Sequence, residues 1–250
     1  MDRVVLYSEG LEPEVVRNAL IEVDVLAVSS QLRLIESLVD DPALVGAVIT
    51  VAEMTAQWTN FLASVLRSFP LLPILIVRPS GPNDCPEGFA CVDDDASEET
   101  IQEALDKLIG GAPQRDRRKH HRYEWPLRAT FAGGDGTVHR ISEISASGAF
   151  LEPVGNVVDS GHEYDVDIFF QNFKLRTRCT ILDPRHVSSR RSAGFGVRFV
   201  DLSDEATTLL DRIVQDAIIE ILVDPTASPA VPTLDEEQDL FSIGEEFALT

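Results

Sequence analysis

The sequence predicts an α/β domain followed by an all-β domain that closes on a helix. Three observations carry this. Up to about residue 110, continuous apolar runs of strand length alternate with amphipathic helical patterns, the signature of a parallel sheet covered on both faces. From Arg128 to Phe199, six strand-like runs follow one another with turn residues between them and no helical period. The 250 residues suffice for one large domain or two ordinary ones.

In the first segment, Arg3–Ser8 reads as a strand and 12–23 as a helix with Val15, Val16, Ala19, Leu20 and Val23 on one face. Residues 24–30 form a second strand, and 31–39 a helix burying Leu32, Ile35, Leu38 and Val39. A third strand covers 45–51, a longer helix 55–69, and a fourth strand 72–77 before the breakers Pro79, Gly81 and Pro82. Residues 89–92 make a short fifth strand. Ser97 then caps a helix through 109, with Asp94, Asp95, Glu98 and Glu99 around its positive end. In the second segment the strands are 128–131, 137–144, 149–153, 163–169, 173–182 and 194–199, followed by a helix over 204–222. Six antiparallel strands of this length favour a closed barrel, which removes exposed sheet edges. The resulting division is 1–111, 112–222 and 223–250. The last part, with three prolines in its first ten residues and many acids, reads as a disordered acidic tail; the other reading is a short helix for a partner's groove.

Charge is unevenly spread over the net −21. Residues 1–114 carry 6 basic and 19 acidic side chains, 115–222 carry 15 and 16, and 223–250 carry none and 7. A surface this acidic repels a nucleic-acid polyanion. Five basic residues fall within Arg115–Arg122, a cluster sized for a small anion. No apolar run is long enough to span a membrane and the N-terminus has no signal pattern, so a cytoplasmic protein without membrane insertion is expected. Cys85, Cys91 and Cys179 include no C-x-x-C pair, so neither a disulfide framework nor a zinc site is expected.

Two elements carry the chemistry. The first is Gln114-Arg115-Asp116-Arg117-Arg118-Lys119-His120-His121-Arg122-Tyr123, immediately before the barrel. Arginine presents a planar fork that matches phosphate oxygens and guanine O6 and N7, and it stacks on purine rings. Without a second element this would read as a solvated basic linker. The second is Ile141–Leu151, in which Glu143, Ser145 and Gly148 form a polar turn between two apolar strands. A carboxylate there can accept from guanine N1 and N2, a hydroxyl can reach another edge, and Gly148 permits backbone close to the ligand or a positive φ. His120 and His121 are adjacent and unsuited to joint metal binding, although either can bond a phosphate. Arg176, Arg178, Arg185, Arg190 and Arg191 either extend a positive mouth or sit on a solvated hairpin. Trp58 reads as helix core and Trp125 as packing at the barrel's start. No metal-ligand spacing, phosphate loop or nucleophile–base order appears, so no catalytic site, no metal and no cofactor are expected.

The first domain resembles, in its five strand–helix units, the flavodoxin-like receiver domain of response regulators. The residues that family needs are missing. Tyr7-Ser8-Glu9-Gly10 offers one acid where two hold Mg²⁺, Ile49-Thr50-Val51-Ala52 stands where the aspartate nucleophile belongs, and Asp93-Asp94-Asp95 replaces the expected lysine. Glu53 lies beyond the third strand. The resemblance implies a receiver-like domain without a phosphoacceptor, used for docking or for homodimerisation.

The second domain resembles the PilZ family, receptors for bacterial cyclic di-GMP. The family's R-x-x-x-R is matched by Arg118 and Arg122, preceded by Arg117, and its [D/N]-x-S-x-x-G by Glu143, Ser145 and Gly148. Gly194-Phe195-Gly196-Val197-Arg198-Phe199 is similar to the family's closing strand. The departure is Glu143, one methylene longer than the family's Asp or Asn. The resemblance implies a non-enzymatic effector that binds cyclic di-GMP through Arg117, Arg118, Arg122, Glu143, Ser145 and Gly148, orders the interdomain linker and engages unidentified protein partners. The alternative is a ligand-independent scaffold with a degenerate PilZ site.

Overall fold

The computed structural model describes residues 3–9, 14–20, 23–41, 43–79, 85–110, 120–132, 136–152, 161–182, 193–226, 231 and 247–249. The chain divides into two compact units, Met1–Arg118 with Ile218–Ala227 and Lys119–Ala217 with Ser228–Thr250. No helix among the described residues is long and apolar enough to cross a membrane.

The first unit holds β1 (Arg3–Ser8), α1 (Glu14–Ala19), β2 (Asp24–Val28), α2 (Gln31–Asp40), β3 (Leu44–Thr50), α3 (Ala56–Ser68), β4 (Ile74–Arg78), β5 (Ala90–Asp93) and α4 (Glu98–Gly110). The sheet is parallel throughout, in the order β2-β1-β3-β4-β5. That order, with its switch point between β1 and β3, is the flavodoxin-like one that the receiver resemblance implies. Alternation along the central strands divides the core. Val4, Leu6, Val48, Leu75 and Val77 pack with Val16 of α1 and with Ile101 and Leu105 of α4. The alternate residues Val5, Tyr7, Ile49 and Ile76 are also buried, and the Tyr7 ring lies 5.4 Å from that of Trp58 on α3. The helices start where side-chain oxygens satisfy the first free amides: Ser30 accepts from Arg33 N, Thr55 from Trp58 N and Ser97 from Thr100 N.

Cys85 and Cys91 are joined by a disulfide beside β5, which corrects the expectation of no disulfide. The intervening turn, with Gly88 at φ 91°, returns the chain so that the two Cα atoms are 5.8 Å apart, a proximity that spacing rules for metal or redox motifs do not capture. Cys179 is free and buried, and desolvation, with Asp165 adding to it, pushes its thiol up to about 12. It therefore stays protonated and inert at neutral pH.

The second unit holds β6 (Leu127–Phe131), β7 (Val138–Ser145), β8 (Gly148–Leu151), β9 (Glu163–Phe169), β10 (Phe173–Ile181), β11 (Phe195–Phe199), α5 (Asp204–Val223, which begins here) and β12 (Phe247–Leu249). The sheet runs β11-β8-β7-β6-β9-β10, and a further pairing of β11 with β10 closes it into a six-stranded antiparallel barrel. Leu127, Ala129, Val166, Ile168, Phe173, Leu175, Cys179, Ile181, Phe195 and Val197 are buried on alternating positions of its strands. Ser203 caps α5 by accepting from Ala206 N, and Ala206, Leu210 and Val214 recur every four residues on its buried stripe. No strand was expected beyond residue 223, yet Phe247–Leu249 pair antiparallel with Phe173–Leu175 of β10.

The basic residues of β10 are tied to carboxylates rather than left to solvent. Arg176 donates to both oxygens of Asp167, at 2.7 and 2.9 Å, and Lys174 Nζ donates to the second at 3.3 Å. Arg178 lies 3.2 Å from Asp201 and within 4 Å of Glu163 and Asp165. The Arg176 hydrogen bonds above all hold the Asp167 carboxyl below the usual range. A carboxyl depressed in the folded state adds stability above its unfolded value, about 3.9, and loses it as pH falls through the folded one. Asp167→Asn should therefore cost about 0.5–1 kcal/mol at pH 7. In urea unfolding across a pH series, the gap from the natural protein should narrow below about pH 4.

Candidate functional site

The site begins where the chain enters the barrel. Tyr123 and Ile144 exchange backbone hydrogen bonds, Tyr123 N to Ile144 O at 2.9 Å and Ile144 N to Tyr123 O at 2.9 Å. This isolated bridge pins the segment before β6 against β7. The rings of Tyr123 and Trp125 then pack at 4.7 Å between centroids, tilted by 57°, with Trp125 buried as expected. His120 Nδ1 stands 3.2 Å from Asp211 Oδ1 on α5, although the angle does not satisfy hydrogen-bond geometry.

β7 carries the second half. Its pairing with β8 shifts between Ile141 and Glu143: Ile141 faces Leu151 and Glu143 faces Phe150. Ser142 is therefore the extra residue of a β-bulge, and its hydroxyl donates to Phe150 O at 3.4 Å. The bulge changes the phase of the strand. His139 and Ile141 are buried before it, Ile144 and Ser145 after it, and Glu143 is turned to a partly open position. There its Oε2 accepts from Arg122 Nη1 at 3.2 Å. The Arg122 side chain is 38% exposed and that of Glu143 18%, so ligand can reach both.

Ser145 is 2% exposed, and its hydroxyl is engaged inside the turn between β7 and β8. It donates to Gly148 O at 3.1 Å and accepts from Ser147 N at 3.4 Å. Gly148 has no positive φ; a Cβ there would collide with the carbonyl oxygen of Val197 on β11. The structure gives a reason the sequence did not supply: the backbone here lies too close to β11 for a side chain. Arg117 and Arg118 lie outside the described residues, as do Arg185, Arg190 and Arg191. Among the described residues, no group of three or more His, Cys, Asp or Glu is placed to hold a metal ion.

Residues 116–216 match the PilZ domain family. The chain carries a PilZ domain. Among solved structures the chain is similar to the PilZ domain of YcgR from Escherichia coli with c-di-GMP, at 15% identity over 45% of this chain and 100% of that one, TM-score 0.36. It is similar to a response regulator receiver protein from Sinorhizobium medicae at 20% identity over 45% and 97%, TM-score 0.37. It is also similar to the Bacillus subtilis inhibitor of motility MotI/DgrA at 14% identity over 41% and 54%, TM-score 0.36. The chain thus spans about half the length of the Bacillus protein. No curated protein matches the chain.

Within the PilZ domain the structure brings Arg122 and Glu143 into contact and sets Ser145 and Gly148 at the adjoining turn. Sequence reasoning missed Tyr123, whose backbone makes the junction, and Ser142, which aims Glu143. The signal for Ser142 was present: Ile141 and Ile144 are three apart in a strand, where strict alternation puts them on opposite faces. At the end of the first unit's sheet, the acid beside β1 is also occupied. Glu9 Oε2 accepts from Trp58 Nε1 at 3.1 Å and from Ala52 N at 3.4 Å. Gly148→Ala should lower stability by about 2 kcal/mol or more through strain between β8 and β11. Urea unfolding without any ligand checks this, and an unchanged midpoint would show that the glycine is not required by packing.

Proposed function

We propose that the PilZ domain makes this chain a non-enzymatic receptor for cyclic di-GMP, acting as an effector in bacterial second-messenger signalling. The observation that carries the reading is the juxtaposition of Arg122 and Glu143, one from each half of the motif, at a partly exposed position. Cyclic di-GMP is a planar-based dianion, and its two kinds of recognition element are both present. A guanidinium fork serves phosphate oxygens or a guanine face, and a carboxylate accepts from guanine N1–H and N2–H.

The ion pair gives Glu143 two opposed roles. In the free protein it holds Arg122, so ligand must displace that contact; in the complex it supplies an acceptor. A partly exposed pair is worth about 0–1 kcal/mol, so this competition weakens binding by less than tenfold. Arg117 and Arg118 precede Arg122 in sequence and supply further guanidinium groups. Their engagement fixes the segment between the two domains and changes the domain arrangement. That arrangement is what protein partners read, and differential affinity for it makes the ligand a switch. The first domain contributes docking or self-association rather than phosphotransfer, in keeping with the indole and amide that hold Glu9 and with Thr50 at the end of β3.

The scaffold reading has its own observation: Arg122 and Glu143 satisfy each other, and the Ser145 hydroxyl is engaged in its turn. Calorimetry separates the two. Cyclic di-GMP should bind the full chain at micromolar or lower concentration. Arg122→Ala should weaken it at least 100-fold, and Glu143→Asp, too short to hold Arg122 equally well, should tighten it two- to fivefold. No heat from the natural protein at millimolar ligand would favour the scaffold, and weaker binding by Glu143→Asp would refute the competition.

A further inference from the structure

One edge of β10 pairs with β9 along Lys174–Thr180. The opposite edge is divided: Cys179–Ile181 pair with β11, and Phe173–Leu175 pair with β12. Barrel closure therefore uses only the C-terminal part of β10, and its N-terminal part runs on past β11. The direction of its backbone groups follows from two contacts. Phe173 O accepts from Phe170 N on the β9 side, while Arg178 O accepts from Val200 N on the other. Alternation then turns the backbone N–H and C=O of Lys174 toward β12, and those of Thr180 toward β11. An uncovered edge of this kind is a template for another strand.

We propose that the Phe173–Leu175 edge of β10 is a strand-addition site and that the chain's own C-terminal Phe247-Ala248-Leu249 is its detachable occupant. Two observations support a latch rather than a permanent seventh strand. The ladder has three residue pairs, fewer than an ordinary strand of five or six, so it opens more readily than its neighbours. Residues 224–246 join the segment covalently to the end of α5, so it meets the edge as part of the same chain. The register also sets Phe247 opposite Leu175 and Leu249 opposite Phe173. The site accordingly takes an extended, alternately apolar segment, and any such segment from elsewhere must first displace the tail. This inference is independent of cyclic di-GMP binding.

The test uses the full chain and the variant Ala248→Pro, which removes the amide donor at the centre of β12 and leaves the barrel sequence intact. Hydrogen exchange at the Lys174 amide should rise at least tenfold in the variant, with Thr180 unchanged as the internal reference. A labelled peptide of residues 240–250 should bind the variant at least tenfold more tightly than the natural chain, both being monomers by light scattering. Equal exchange at Lys174 in the two chains would overturn the proposal, as would a peptide that binds neither. A natural chain that is dimeric and a variant that is monomeric would overturn the intramolecular latch by showing that a second copy supplies the strand.

Discussion

Two backbone hydrogen bonds between Tyr123 and Ile144 decide where the basic segment meets the barrel. Arginine side chains are long and flexible, and a cluster of them on a free linker has no fixed address. Once Tyr123 is registered against β7, the preceding residue is fixed too, and Arg122 falls beside Glu143. The bulge at Ser142 completes the arrangement, because a regular strand would turn Glu143 toward the same face as Ile141 and Ser145. The site thus depends on main-chain geometry first and on side-chain identity second.

The same priority explains the contrast between the two domains. In the first, the parallel sheet and its switch point are preserved, yet the end of the sheet where open α/β proteins hold ligands carries a carboxylate already bound to an indole and an amide. The framework survives without the acids that receiver chemistry requires. In the PilZ domain the framework also sets charged residues together, Arg122 beside Glu143. There Glu143 bridges to Arg122 at 3.2 Å.

Most of the fold was legible because it is written in periodicity and caps. The run Arg3–Ser8, the cap Ser97, and the six barrel strands each announce themselves within a few residues, and the ends of the strands shift by one or two positions only. What escaped depends on partners distant in sequence. Nothing local in Phe-Ala-Leu says that residues 247–249 pair with β10, and the disulfide of Cys85 and Cys91 depends on the course of the turn between them. At the site, the residue types of Arg122 and Glu143 were readable, whereas their contact required the bridge and the bulge. Gly148 was recognised as a glycine for a reason, but the reason lies in β11, some fifty residues further along the chain.

In the proposed receptor, ligand separates Arg122 and Glu143, which are joined in the free protein. A crystal structure of the full chain with cyclic di-GMP measures this directly through the distance between Arg122 Nη1 and Glu143 Oε2. The 3.2 Å contact should open, with the guanidinium on a phosphate or guanine face and the carboxylate on a guanine edge. A complex in which the contact persists and the nucleotide lies elsewhere would contradict it.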